Sequence, residues 1–268
     1  MSRPSDARPL PSHLTDSAGT PWAGRHFEPS GAADDDGSAP PELVAALAEF
    51  SRGEAGPETV VDALRGSRVL IPLMARLGEE GEGVDGLRAD KSQELSIVTV
   101  AGPDGRSVLP VFSSVDAMKR WDASARPVPV DCRRAALAAV AEETELMVLD
   151  AASEHEFVVR RPALWAIAEG ALWRSSADDP EVLAALRACS VEEPAVVSVD
   201  LRAGDPAQRL VGPELVVVLE LRAGLDRDAL GELVARLGGR WAADGTIAAR
   251  VDSLTLQLAA EGAPRGLR

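Results

Sequence analysis

The sequence predicts an α+β protein built as two consecutive mixed lobes, each a small sheet with helices packed on it. Three observations carry that expectation. Short apolar runs at strand spacing are joined by tight turns, as at Gly102-Pro103-Asp104-Gly105, and are interleaved with segments of helical periodicity. The element order then restarts after the polar break Arg174-Ser175-Ser176-Ala177-Asp178-Asp179. Finally, 268 residues that are 46% hydrophobic and 26% charged can bury one large core or two smaller ones. Helices set among hairpin-connected strands argue against a doubly wound parallel sheet.

Residues 1–40 are expected to form a disordered or extended N-terminal arm. Residues 1–41 hold seven prolines and the acidic run Asp34-Asp35-Asp36, with no apolar periodicity to offset the entropy of ordering. Trp22 and Phe27 are the arm's exception, able to dock on the body or on a partner. The first lobe is expected over 41–173. Leu43, Leu47 and Phe50 share a helical face behind a proline at the first turn. Pro57 opens a second helix, with Val60, Val61 and Leu64 inward and Gly66 at its end. Arg68–Met74 reads as a strand, and Pro72 places it at a sheet edge or strand terminus. An acidic, glycine-rich loop follows at about 77–91.

Two alternating runs, Leu95–Val100 and Val108–Phe112, then flank the Pro-Asp-Gly turn as a hairpin. Ser113 and Ser114 offer hydroxyl caps to a helix whose apolar side is Val115, Met118 and Trp121. Arg126–Val130 is extended, and Asp131 caps a helix with Ala135, Leu137, Ala138 and Val140 available for its buried side. Leu146–Leu149 and Phe157–Val159 read as strands around Ser153-Glu154-His155, and Pro162 starts a helix closed by Gly170. The unit L-P-V-F-S-S-x-x-A-M-x-x-W at 109–121 resembles the N-terminal domain of the SseB family, the enhanced serine sensitivity proteins. The resemblance covers about 55–170 and implies that lobe's fold, with no settled biochemical activity attached to it.

The second lobe is expected over 176–262, in the order helix (Pro180–Cys189), strand (Ala195–Leu201), strand (Leu215–Leu221), helix (Asp226–Leu237), strand (Leu254–Ala259). Its likeness to the family's C-terminal domain rests on that order and on the run V-G-P-E-L-V-V-V-L-E-L.

Composition excludes several functions. A net charge of −15 and only 3% aromatic residues, with no tyrosine, argue against nucleic acid and anionic lipid. The basic pairs Lys119-Arg120, Arg133-Arg134 and Arg160-Arg161 read as charges on solvated faces. Cys132 and Cys189 fit no metal spacing and read as free thiols in helices. Neither a signal peptide nor a membrane span is expected, which makes the cytoplasm the compartment by elimination.

Chemistry-bearing motifs are equally sparse. No G-x-x-x-x-G-K-[ST] or G-x-G-x-x-G precedes a predicted helix, and the glycine-rich stretch 78–86 carries acids that repel phosphate. His155 is the sole histidine of the body, and no G-x-S-x-G elbow accompanies it. Glu142-Glu143 and Asp178-Asp179 read as surface or helix-end acids. Trp121 and Trp165 are expected in the core, while Trp173 and Trp241, near helix ends, are the candidates for a contact surface.

No catalytic, cofactor-binding or metal residue is therefore nominated, and no cofactor is expected. The expected function is a non-catalytic binding or regulatory module. Its partner would be another protein, or a second copy in a homo-oligomer, with no nucleic acid and no membrane. An enzyme using an unrecognised carboxylate site, or a structural or chaperone-like partner of a larger complex, is the alternative.

Overall fold

The computed structural model describes residues 35–76, 94–97, 99–141 and 144–262. The arm with Trp22 and Phe27, the loop at 77–91 and the pair Glu142-Glu143 lie outside the described residues.

Proline-initiated helices α1 (Pro41–Ser51) and α2 (Pro57–Arg65) lead into strand β1 (Arg68–Arg76). β1 is the middle strand of an antiparallel sheet, between β2 (Glu94–Ile97) and β5 (Arg126–Asp131). Pro72 therefore does not mark an edge. Leu70 exchanges both backbone bonds with Phe112, so residues of its parity turn away from β5. Pro72 shares that parity, and its missing N–H falls between the Phe112 bridge and the β2 pairing, which begins at Leu73. Opposite it stands Pro127, at another position that needs no donor towards β1.

The expected hairpin forms with β3 (Val100–Ala101) against β4 (Ser107–Val111), Val100 facing Val108. Ser114 Oγ accepts the Ala117 N–H and caps α3 (Val115–Trp121). Phe112 is fully buried, and its ring lies 5.2 Å from that of half-buried Trp121. Asp131 accepts the Arg133 N–H at the start of α4 (Cys132–Ala141). The buried face of α4 is Cys132, Ala135, Ala136 and Ala139, a helical i, i+3, i+4, i+7 set that turns Leu137 out to solvent, contrary to expectation. β4 then pairs in parallel with β6 (Met147–Leu149), which pairs antiparallel with β7 (Phe157–Val159) before α5 (Arg161–Glu169).

Beyond the connector come α6 (Pro180–Ser190), β8 (Val196–Ala203), β9 (Leu215–Leu221), α7 (Arg227–Ala243), α8 (Gly245–Arg250) and β10 (Leu254–Ala260). β9 is central, antiparallel to β8 and parallel to β10, so α7 and α8 form a crossover. α7 continues past the expected end at Leu237, because Leu233, Leu237 and Trp241 recur every fourth residue on its buried side. That register buries Trp241, which is no contact surface.

From Gly37 onward the described residues form one compact unit with two large cores, one in each half. In the sheet β3-β4-β6-β7, the strands β4, β6 and β7 are buried on both faces. Leu109, Val111, Met147, Leu149, Phe157 and Val159 face the helices of the first half. Val108, Val148 and Val158 face the opposite way, where Leu210 of the second half covers them.

Candidate functional site

The junction between the halves carries the two most distinctive features of the molecule, a buried ionic network and an open groove. Arg160, directly after the apolar strand β7, keeps only 2% of its side-chain surface exposed. Its Nη2 donates to Asp205 at 2.6 Å and to the Gly212 carbonyl at 2.8 Å, and its Nη1 donates to Asp252 at 3.2 Å. Arg106, from the hairpin turn, grips the other side of Asp252 with two bonds of 2.9 and 3.0 Å. Burial pushes the Asp252 carboxyl up, but the bonds from the two arginines outweigh it and hold the group below the ordinary carboxylate range. Asp205 also accepts the Leu210 N–H, which fixes the β8–β9 loop. That loop needs glycine at 204, where a Cβ would lie 2.2 Å from the Pro213 carbonyl oxygen. It lends its Gln208 carbonyl to the Val158 N–H and so closes the outer edge of β7.

Glu214 completes the network. Its side chain accepts the Asp252 N–H at 2.6 Å while its own N–H donates to Ser253 Oγ. Burial pushes its carboxyl above the ordinary range, against the pull of that N–H and of the neighbouring Ser176 hydroxyl. Asp150 is raised by burial too, although Ser113 bonds it through both its N–H and its hydroxyl.

One residue along, Arg161 leaves the network and ties α5 to the second half from outside. Its Nη2 donates to the Ala248 and Val251 carbonyls at 2.9 and 2.8 Å, the orphan carbonyls at the end of α8. Arg250 of α8 bonds Asp179 at 2.7 Å and Glu181 at 2.6 Å. Asp179 is the N-cap of α6, and Glu58 accepts the Ser175 N–H. The polar connector is thus pinned from both halves, with Ser175, Ser176 and Asp179 buried rather than open to solvent.

These ties frame a groove of about 550 Å³ lined by Pro162, Trp165 and Ala166 of α5, Leu172 and Trp173 of the connector, and Ala249 of α8. Glu145, Glu169 and Arg174 stand among the charged residues of its lining. Trp165 is 45% exposed and Leu172 78% exposed. Contrary to the expectation from its helical pattern, Trp165 lies outside the core, because Pro162, Ala163, Leu164, Ala166, Ile167 and Ala168 already fill the buried sides of α5. The overlooked signal is the set Arg161, Trp165 and Glu169 at i, i+4 and i+8, whose charged ends mark an outward stripe. Trp173, expected at a contact surface, is half-buried against the first core while lining the groove.

The remaining sequence candidates are dispersed. His155 is exposed in the β6–β7 turn, 3.6 Å from Glu154. Cys132 is buried, its thiol pushed up to about 12 by burial, and Cys189 is half-buried. Lys119-Arg120 and Arg133-Arg134 are solvent-exposed as expected, but Arg160 overturns the surface reading of its pair. Among the described residues, no group of three or more His, Cys, Asp or Glu side chains could hold a metal ion, and no helix is long and apolar enough to cross a membrane.

Comparison with protein families matches the SseB protein N-terminal domain to residues 43–166, from α1 into the α5 wall of the groove. Comparisons with curated proteins and with solved structures found no match. Residues 43–166 are thus similar to the SseB protein N-terminal domain, and this segment carries the hairpin–helix unit and the first-half side of the groove.

Proposed function

We propose that this protein is a non-catalytic binding module of the cytoplasm whose partner is another protein, held in the groove beside α5. The carrying observation is an exposed tryptophan and leucine, Trp165 and Leu172, presented by walls that ion pairs and backbone bonds hold in place. Such a pairing supplies a large apolar contact at little ordering cost, which is how binding energy concentrates at interface centres. Glu145, Glu169 and Arg174 supply a mixed polar rim rather than a single-sign field, which suits a protein segment better than a polyanion. The second half, read as the family's C-terminal type of lobe, contributes the opposite wall through α8.

Affinity purification of the tagged full chain from its own cells, with quantitative mass spectrometry, tests this. Trp165→Ala and Leu172→Ser should each lose a stoichiometric partner while the melting temperature stays at the wild-type value. Equal recovery by both variants would contradict the reading.

A further inference from the structure

The sheet edges of this molecule are guarded unequally. The outer edge of β5 carries Pro127 and Pro129, whose missing N–H groups fall on the side away from β1. The edge of β7 is closed by the Gln208 carbonyl. β8 is broken by a register shift between Val196 and Ser198, and the Arg187 guanidinium covers the Val199 carbonyl with bonds of 3.2 and 3.1 Å. Among the described residues, β10 has none of these protections. It runs for seven residues, Leu-Thr-Leu-Gln-Leu-Ala-Ala, without a proline, a charge or a bulge. Among the described residues, β9 is its only strand partner.

The ladder parity shows which groups are open. Ser253 gives its carbonyl and Glu261 its N–H to β9, so the residues of odd number face inward. Leu254, Leu256, Leu258 and Ala260 point both backbone groups at the edge that no strand covers among the described residues. Three of these same residues form a leucine row on the helix-covered face of the sheet, and that cover is incomplete, since Leu258 is 41% exposed.

We propose that the protein pairs with a second copy of itself through β10, antiparallel about a two-fold axis at Gln257. This register matches outward-pointing residues with outward-pointing residues, Leu256 with Leu258 and Leu254 with Ala260 of the second copy. Four residue pairs then exchange two backbone bonds each, and the two leucine rows close against each other. The charge pattern selects a second copy as occupant. In a chain of net charge −15, an acid-free strand is where two copies meet with least repulsion. The flanking acids are out of opposition too, since Glu261 would face Ser253, and Asp252 is already held by Arg106 and Arg160. The product is a continuous six-stranded sheet with an isologous interface.

Sedimentation of the full chain over a concentration series tests the proposal. The wild type should dimerise reversibly, and Leu258→Lys, at an exposed side chain, should weaken the dimer by about tenfold or more without lowering the melting temperature. In a Cys189→Ser background, Gln257→Cys should form a disulfide-linked dimer on mild oxidation, because facing residues of a non-hydrogen-bonded pair lie about 4.5 Å apart. Thr255→Cys, displaced from its own copy by the register, should not. The proposal is overturned by a chain that stays monomeric, including one whose β10 is taken by another protein's strand. It is overturned equally by a dimer indifferent to Leu258→Lys, or by crosslinking at 255 instead of 257.

Discussion

Arg160 and Arg161 are neighbours in sequence, carry the same charge, and both reach from the first half of the molecule to the second. Arg160 ends among carboxylates with almost no contact with water, whereas Arg161 clasps two helix-end carbonyls at the wall of an open groove. The first contact is partnered at both terminal nitrogens of the guanidinium, by Asp205, Asp252 and Gly212, and Leu210 seals the apolar face beside it. The second leaves a tryptophan and a leucine exposed among the described residues. The same junction therefore divides into a side that holds the halves together and a side that, among the described residues, presents apolar surface.

The largest expected effect falls on the closed side. Arg160→Met leaves Asp205 and Asp252 buried short of a partner and should cost about 3–5 kcal/mol in chemical denaturation, far more than Arg161→Ala, whose two carbonyls lie nearer to water. A loss for Arg160→Met below that of Arg161→Ala would erase the distinction. Leu210→Ala should follow at about 2–5 kcal/mol, since it opens a cavity between the halves against Val108, Val148 and Val158.

Glu214 sharpens the comparison through pH. Its folded carboxyl is held above the ordinary range, so the folded chain keeps a proton that the unfolded chain has released. The associated stability is present at acid pH and lost as pH rises through the folded value. Asp252 has the opposite sign, its stabilisation being lost as pH falls. Glu214→Gln can still accept the Asp252 N–H, so it should melt higher than wild type at pH 8, with the gain vanishing towards about pH 4, where a free glutamate titrates. A gain that is the same at every pH would contradict the assignment. The smallest effect is expected at the groove, where Trp165→Ala should change stability by no more than about 0.5 kcal/mol.

Local signals made much of the first half legible. The Pro-Asp-Gly turn, the Ser114 cap and the prolines opening α1, α2 and α5 each act within a few residues, and each element formed where its signal lies. What escaped was set by distant partners. Arg160 meets acids 45 and 92 residues away, and no feature of its own segment announces them. Pro72 reads as an edge residue until its parity in the ladder is known, and Trp165 reads as core until its neighbours are seen to fill the helix's inner faces. The groove is illegible in the sequence for the same reason, because one of its walls is α8, a helix of only six residues with too short a pattern to announce itself.

The most direct test places a photo-crosslinking amino acid at position 165 in the full chain and, separately, at position 191, another exposed apolar residue far along the sequence. Irradiation in living cells should give one discrete protein adduct from position 165 and none from position 191. An adduct from position 191 alone would move the binding face off the groove and contradict the account.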